Sequence, residues 1–243
     1  MKKFPLFLAL LVMMTSAHAA MIYTDTFSGS ATANQTTNPN LIGSSWVIDS
    51  GTWALTGAGT SPANFALRAN GGGENFITED AVQTLNTGGA TFTLASQIYL
   101  GNTSTYLGMV FNYIDSSNYI LIRAEQTNLQ AYDYVNGVRT TLFNDSISQL
   151  ATSYYDINIS FNGTSYIGSL TSADGLTTYD THSFAPVSSL TNGYAGLYSS
   201  SSSRFFDNFS LIVVPEPSSL FLCGFAGVAL FCFHRRSIKS RLS

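Results

Sequence analysis

Residues 154–161 read YYDINISF, and this stretch decides the fold. Its apolar side chains occupy alternate positions, namely Tyr155, Ile157, Ile159 and Phe161. Polar residues stand between them. Because successive side chains of a β-strand point to opposite faces, this period of two predicts a strand with one buried face.

Turn signals surround this strand. Asn162-Gly163 follows it, and Asn136-Gly137 separates LQAYDYV from VRTTLF, so both dipeptides predict tight hairpins. The sequence shows no long amphipathic helix. An antiparallel β-sandwich of the jelly-roll type is therefore expected. Further strands are predicted at 21–27, 46–56, 64–69, 75–85, 90–100, 105–114, 118–126, 177–184, 193–198 and 204–213.

The N-terminus has the pattern of a secretory signal peptide. Lys2 and Lys3 precede an apolar run at 4–14, and Ala17 and Ala19 supply the small residues of a cleavage site. We expect signal peptidase to cut after Ala19, which removes residues 1–19. The sandwich domain is then predicted over residues 20–212.

The C-terminus, residues 213–243, combines three features. Pro215-Glu216-Pro217 disfavours helix, an uncharged apolar run follows at 220–233, and Arg235 and Arg236 open a basic tail. At 1.5 Å per residue the run predicts a short transmembrane helix of about 21 Å, against about 30 Å of hydrocarbon. The basic tail is expected to stay cytoplasmic, with the domain on the other side.

These three features together resemble the PEP-CTERM sorting signal of Gram-negative bacteria. The resemblance implies recognition by an exosortase, removal of the tail after transient anchoring in the inner membrane, and delivery to the cell surface or the exopolysaccharide matrix. The sorting residues it implies are Pro215, Glu216, Pro217, Arg235 and Arg236. A plain single-pass anchor is the alternative reading of the same residues.

The charge distribution restricts the partners. From Ala20 to Pro217 four arginines stand against 14 carboxylates, a formal net charge of −10. Nucleic acid and anionic membrane surfaces are therefore not expected as partners. Both cysteines, Cys223 and Cys232, lie in the C-terminal apolar run, so no disulfide is predicted in the exported domain.

The order of several short motifs resembles the concanavalin-like and laminin-G-like sandwiches, a fold that also occurs in glycoside-hydrolase-like sugar proteins. The resemblance supports the fold and implies a carbohydrate-related role. The motifs are TDTFSG (24–29), SGTWALTG (50–57), YLGMVFNYIDSSNYILIR (106–123), NGVRTTL (136–142), YYDINISFNG (154–163) and GYAGLYSSSSSRFFDNFSL (193–211).

Two aspartates occupy apolar registers. Alternation predicts that Asp25 shares the face of Tyr23 and Phe27, and that Asp207 shares the face of Phe205, Phe209 and Leu211. If the terminal strands are neighbours, as the resemblance implies, Asp25 and Asp207 could hold a structural Ca²⁺. The alternatives are hydrogen-bonded carboxylates with Arg123 or Arg204 as counter-charge, or strand bulges that turn both side chains outward.

No catalytic residue is assigned. His182 is the single histidine of the exported domain, and no G-x-S-x-G motif accompanies it. A carboxylate-based glycoside hydrolase or lyase is the alternative function, with Glu74, Glu79, Asp80 and Glu125 as the available acid and base. A solvated acidic face is the other interpretation of these carboxylates.

Aromatic side chains are the candidates for sugar binding, because the C–H faces of sugar rings stack on Trp and Tyr. Tyr132 and Tyr134 share one face of a predicted strand and flank Asp133, so these three residues and Trp53 are the predicted carbohydrate-binding residues. The leading hypothesis is a non-enzymatic surface or matrix protein, structural or bound to exopolysaccharide.

Overall fold

The computed structural model describes residues 21–27, 46–56, 66–79, 91–101, 104–188, 190 and 193–214. Every regular element in these ranges is a β-strand. The strands are β1 Met21–Asp25, β2 Trp46–Ser50, β3 Trp53–Thr56, β4 Ala66–Ala69, β5 Asn75–Glu79, β6 Thr91–Leu100, β7 Leu107–Asp115, β8 Asn118–Ala124, β9 Asn128–Val135, β10 Val138–Ser146, β11 Ser153–Phe161, β12 Tyr166–Ser172, β13 Thr178–Phe184, β14 Tyr194–Ser199 and β15 Arg204–Val214.

The strands form two antiparallel sheets that pack as a sandwich, which confirms the predicted all-β class. The eight-stranded sheet has the order β13-β12-β11-β6-β15-β4-β3, with β1 paired to β15. The seven-stranded sheet has the order β10-β9-β8-β7-β14-β5-β2. The main hydrophobic core lies between them and is built from side chains of both sheets.

The predicted alternation of β11 is present in the structure. Tyr155, Ile157 and Ile159 are buried in the main core. Asn136 and Gly137 both have positive φ, 51° and 76°, and form the two-residue turn between β9 and β10. The second turn signal, Asn162-Gly163, lies in a longer loop over residues 162–165. In this loop Asn162 Oδ1 accepts hydrogen bonds from the amides of Thr164 and Ser165.

The single strand predicted over 46–56 is wrong, because the chain changes sheets within it. β2 belongs to the seven-stranded sheet and β3 to the eight-stranded sheet. Gly51 lies between them with a φ of 84°, which residues with a Cβ rarely adopt. A Cβ at Gly51 would also overlap the side chain of the fully buried Asn75. The break is therefore fixed by close packing as well as by backbone conformation.

The predicted face of β15 is also wrong. Phe206 is fully buried beside Trp53, whereas Phe205 lies partly exposed over the guanidinium of Arg68. Asn208 has a φ of 50° between Phe206 and the buried Phe209. Such a bulge adds a residue to the strand and shifts the alternation, so Phe205 and Phe209 do not share a face.

The terminal strands are neighbours, as predicted. β1 pairs with β15 in the register Met21↔Val213 to Asp25↔Phe209. Asp25 then connects the two sheets, because its Oδ2 accepts a hydrogen bond of 2.9 Å from Nε1 of Trp46 on β2. Its Oδ1 accepts a second bond, of 2.7 Å, from the amide of Phe27.

The edge strands β10 and β13 meet on one side of the sandwich. His182 Nδ1 lies 2.6 Å from Asp145 Oδ2, and the imidazole stacks on Phe143 with ring centroids 4.4 Å apart. This pair joins the edges of the two sheets. Among the described residues it is the one contact at salt-bridge distance between a basic and an acidic side chain.

The predicted signal peptide, the sorting residues and the apolar run at 220–233 lie outside the described residues. Residues 21–213 make up one unit, and residues 1–20 with 214–243 make up another. Within the described ranges no helix has the length and apolar character needed to cross a membrane. The predicted processing of both ends stays a prediction.

Replacement of Asp25 by Ala is expected to lower the free energy of unfolding by about 1–3 kcal/mol, because the buried Nε1 of Trp46 loses its acceptor. Asp25→Asn keeps an acceptor oxygen and is expected to cost less. Urea denaturation of both variants measures the difference. Equal losses would show that the hydrogen bond to Trp46 contributes nothing.

The wild type and Asp25→Asn together test the pH dependence of stability. Burial raises the pKa of the Asp25 carboxyl above its usual 3.8, against opposing hydrogen bonds from Trp46 and Phe27. The folded protein thus holds this proton more tightly than the unfolded chain. The stability of the wild type relative to Asp25→Asn should therefore fall as pH rises from 3.8 through the folded-state pKa. A relative stability that rises over this window would contradict the assignment.

Candidate functional site

The seven-stranded sheet carries a second apolar layer on the face turned away from the main core. On β8, Ile120 and Ile122 belong to the main core, whereas Tyr119 and Leu121 belong to the second layer. We call this second layer the tyrosine face. Its aromatic members are Phe76, Tyr106, Tyr113, Tyr119, Tyr132, Tyr134, Tyr194 and Tyr198.

The rings of the tyrosine face pack on one another. Tyr119 and Tyr134, which are cross-strand partners, stack with centroids 4.4 Å apart and an interplanar angle of 16°. Phe76 contacts Tyr119 and Tyr198 at 5.1 and 5.3 Å. Aromatic pairs of this kind stabilise a sheet beyond the burial of their area. Tyr106, Tyr134 and Tyr194 are partly buried and keep some exposed surface.

Arg123 lies within this aromatic layer. It follows Leu121 by two positions on β8 and is 9% exposed. Its guanidinium carbon is 4.0 Å from the ring centroid of Tyr106 and 4.8 Å from that of Tyr132. Cation–π contacts at these distances are attractive, and more so where water is excluded.

Polar side chains hold the guanidinium in place. Arg123 donates from Nε to Gln130 Oε1 at 3.0 Å and from Nη1 to the hydroxyl of Tyr198 at 3.3 Å. Burial alone would lower the pKa of Arg123, but the adjacent Tyr198 and Tyr132 together raise it above its usual value. The side chain is therefore a fixed positive charge.

Gly108 makes the contact between Arg123 and Tyr198 possible. Gly108 on β7 is the cross-strand partner of Arg123 on one side and of Tyr198 on the other. With no side chain between them, the guanidinium reaches the phenol. A Cβ at Gly108 would overlap the carbonyl oxygen of Ile122 and lie 2.7 Å from Cα of Arg123.

Two tyrosine hydroxyls of this face each donate a hydrogen bond to a carboxylate. The hydroxyl of Tyr198 donates to Glu74 Oε1 at 3.0 Å, and that of Tyr106 donates to Glu125 Oε1 at 3.2 Å. Burial raises the pKa of both phenols, and the neighbouring carboxylates raise it further. Both hydroxyls therefore stay protonated and act as donors to the carboxylates.

The β9–β10 side of the tyrosine face carries a second arginine. The guanidinium carbon of Arg139 is 4.9 Å from the ring centroid of Tyr132, and Arg139 is the cross-strand partner of Tyr134. The hydroxyl of Tyr132 donates to Gln130 Oε1 at 2.9 Å. Gln130 Nε2 in turn donates to Asn144 Oδ1 at 2.8 Å.

The predicted sugar-binding residues are found in three places. Tyr132 and Tyr134 lie together on the tyrosine face, with their ring centroids 6.4 Å apart. Asp133 points to the opposite side of β9, where it is buried and accepts hydrogen bonds from the amide and hydroxyl of Ser188. Trp53 is in the main core, fully buried, and donates from Nε1 to the carbonyl of Ser50. Neither Asp133 nor Trp53 offers a surface to a ligand in this arrangement.

The predicted calcium ligands lie on paired strands, since Asp25 on β1 is the register partner of Phe209 on β15, two residues beyond Asp207. Asp207 is fully buried, and its Oδ1 accepts a bond from the amide of Asn208. Within the described ranges no group of three or more His, Cys, Asp or Glu side chains could hold a metal ion. Arg204 donates instead to Thr105. Calcium binding stays a prediction.

The four carboxylates suggested for catalysis divide in two. Asp80 and the side chain of Glu79 lie outside the described residues. Glu74 and Glu125 both border the tyrosine face, where Tyr198, Arg123 and Tyr106 connect them. Glu125 is 4% exposed, and its Oε2 has no hydrogen-bond partner among the described residues.

Sequence reasoning did not assign Arg123, Arg139, Gln130 and Tyr198 to the site. The alternation in NYILIRA could have found Arg123, because it continues the register of Tyr119 and Leu121, opposite Ile120 and Ile122. Arg139 could have been predicted from the turn Asn136-Gly137, because a two-residue turn there places Arg139 opposite Tyr134. Tyr198 lies on β14, and only the tertiary structure brings it beside β7.

Comparison with known proteins gives the fold. No family model and no curated protein matches the chain. The carbohydrate-binding module CBM66 from Bacillus subtilis is similar in structure, with a TM-score of 0.53 and 17% identity over 68% of this chain and 94% of that chain. The CBM2 module of the evolved Dit protein from Lactobacillus casei BL23 phage J-1 has a TM-score of 0.50 and 13% identity, over 83% of this chain and 99% of the module.

A mutant of the GH43 protein BlXynB from Bacillus licheniformis also matches, with a TM-score of 0.50 and 12% identity. That match covers 79% of this chain and 39% of the longer protein. At these identities the likeness establishes a shared β-sandwich and nothing about ligands. The candidate site therefore depends on the side chains of the tyrosine face.

Replacement of Gly108 by Ala is expected to lower the free energy of unfolding by about 1–3 kcal/mol, because the added Cβ overlaps the backbone of β8. It should also displace Arg123 from Tyr198. Chemical denaturation measures the first effect, and the near-ultraviolet circular dichroism of the tyrosines reports the second.

Gly72→Ala is the matched control, since a Cβ there meets nothing within 4 Å and its φ is not in the left-handed region. Its free energy of unfolding should change by less than about 0.5 kcal/mol. A Gly108→Ala protein as stable as this control would show that β7 and β8 do not pack as closely as described.

Proposed function

We propose that this protein is a non-enzymatic, exported carbohydrate-binding protein of the cell surface or extracellular matrix, and that it binds polysaccharide on the tyrosine face. The observation that carries the proposal is the combination of partly exposed tyrosine rings with fixed hydrogen-bonding groups on one sheet face. Sugar recognition uses both kinds of group.

The polar groups of the tyrosine face are held before any ligand arrives. Gln130 is fixed by Arg123, Tyr132 and Asn144, and Tyr198 is fixed by Arg123 and Glu74. A site whose side chains are already ordered loses less conformational entropy on binding. This supports a binding role for the network.

Catalysis by Glu74 and Glu125 is less well supported. A glycoside hydrolase needs two carboxyl groups that face a shared space of about 5–10 Å, which the scissile bond enters. Here Tyr198, Arg123 and Tyr106 lie in the chain of contacts that links the two carboxylates. Both carboxylates accept hydrogen bonds from tyrosines, which suits a positioning role.

Export and sorting form the second part of the proposal. The N-terminal pattern at 1–19 and the Pro-Glu-Pro, apolar and basic parts of 213–243 support secretion followed by exosortase processing. The sandwich has no cysteine between residues 20 and 222, and its stability comes from the main core. Such a domain folds without oxidative cross-linking, as an exported matrix component can.

Replacement of Tyr134 by Ala is expected to weaken polysaccharide binding at least tenfold, because a partly exposed ring of the tyrosine face is removed. A glycan array with the wild-type protein identifies the ligand, and isothermal titration then gives the affinities. Tyr179→Ala is the matched control, since Tyr179 is an exposed tyrosine on β13 of the other sheet. Equal losses in the two variants, or no ligand for the wild type, would refute binding on this face.

Replacement of Pro215, Glu216 and Pro217 by Ala is expected to leave the protein in the cell-envelope fraction with its tail attached. The two prolines favour an extended segment, which a processing enzyme can bind, and Ala would allow helix there. Intact-mass spectrometry of the extracellular and envelope fractions measures the outcome. Release of a shortened variant at the wild-type level would refute sorting through these residues.

A further inference from the structure

We propose that the polysaccharide bound on the tyrosine face is acidic, and that the exposed Arg139 binds the carboxylate of a uronic acid residue beside Tyr132 and Tyr134, with the buried Arg123 adding positive charge beneath it. This inference rests on the proposed function and adds the chemical class of the ligand. It comes from the placement and pairing of the arginines, which the following observations describe.

Positive charge is scarce in the exported domain and is concentrated on this face. Four arginines are the only Lys or Arg residues from Ala20 to Pro217, and two of them contact the same ring, that of Tyr132. Their guanidinium carbons lie 4.8 and 4.9 Å from its centroid, so they are at most about 10 Å apart. Two like charges at this distance repel each other, and an anion bound nearby would relieve that repulsion.

Neither arginine is in contact with a carboxylate among the described residues. Arg123 bonds to the neutral Gln130 and Tyr198, and the contact between His182 and Asp145 joins the two sheet edges elsewhere. A buried cation normally has a direct counter-charge, because burial of an unpaired charge is costly. Here Glu74 and Glu125 are reached only through the intervening tyrosines, so the guanidinium of Arg123 has no direct counter-charge among the described residues.

The register places the charge next to a stacking ring. Arg139 on the edge strand β10 is the direct partner of Tyr134 on β9, and neighbouring strands lie about 4.8 Å apart. A sugar ring stacked on Tyr134 therefore has its substituents within reach of Arg139. Guanidinium groups bind carboxylates through paired hydrogen bonds, which gives orientation as well as affinity.

The net charge of −10 does not exclude an acidic ligand. At about 0.15 M salt the Debye length is about 8 Å, so carboxylates farther away than this are largely screened. Nearer the site, Glu74 and Glu125 are each bonded to a tyrosine hydroxyl on the Arg123 side, whereas the exposed Arg139 is the charge that a ligand on Tyr134 meets directly. The net charge does predict slow association with a polyanion at low salt.

The test compares polygalacturonate with its methyl ester at physiological salt, using the protein purified from the cells that export it. Methyl esterification removes the carboxylate charge and keeps the sugar. The wild type is expected to bind the free acid at least tenfold more tightly than the ester. Arg139→Gln should lose most of this preference, and Arg139→Lys should keep part of it.

Arg68→Gln is the matched control, because this substitution removes the same charge from the other sheet. Arg68 on β4 also lies over an aromatic ring, that of Phe205. This variant should keep the wild-type preference. A loss equal to that of Arg139→Gln would overturn the proposal, since net charge alone would then explain the effect. Circular dichroism spectra of the three variants should match that of the wild type.

Two further outcomes separate this inference from the proposed function. If the wild type binds the methyl ester or a neutral array glycan at least as tightly as the free acid, the acidic-ligand inference is wrong and polysaccharide binding stands. If dextran sulfate binds as tightly as polygalacturonate while plain dextran does not bind, the site recognises anionic charge without selecting a uronate carboxylate, which also overturns the proposal. If no glycan binds, the proposed function fails first.

Discussion

The seven-stranded sheet has to bury apolar side chains on both of its faces, and the rest of the structure depends on this constraint. On β7, Met109 and Phe111 enter the main core while Val110 enters the tyrosine face, and β8 continues the same alternation. A shift of register by one residue would exchange the two layers. Because the second layer on these strands is mainly tyrosine, such an exchange would bring its phenol hydroxyls into the main core and turn side chains such as Met109, Phe111 and Ile122 outward.

The strand pattern was largely predictable from the sequence, and the exceptions have a common cause. Alternation in 154–161 and the Asn136-Gly137 turn depend on neighbours along the chain or across one hairpin. The break at Gly51 and the bulge at Asn208 depend on tertiary packing. Gly51 packs against the side chain of Asn75, and the bulge at Asn208 lets both Phe206 and Phe209 be buried. A pattern of period two does not contain that information.

The candidate site was only partly predictable for the same reason. Tyr132 and Tyr134 share a face because of local alternation, and the structure places both on the tyrosine face. Arg123 was considered only as a counter-charge for Asp25 or Asp207, whereas it lies on the other sheet among Tyr106, Tyr132 and Tyr198. Its neighbours come from β7, β9 and β14, so strand order decides its surroundings.

The two sheets carry different features: the eight-stranded sheet holds both terminal strands, and the seven-stranded sheet carries the tyrosine face. Both terminal strands, β1 and β15, belong to the eight-stranded sheet, and Asp25 links β1 to the other sheet through Trp46. The aromatic rings of the tyrosine face stabilise the sheet, but the charge on Arg123 costs free energy to bury. Gln130 and Tyr198 hold this charge in place, and Gly108 leaves room for the contact with Tyr198. The proposed binding of a ligand on this face would offset the cost of retaining the charge.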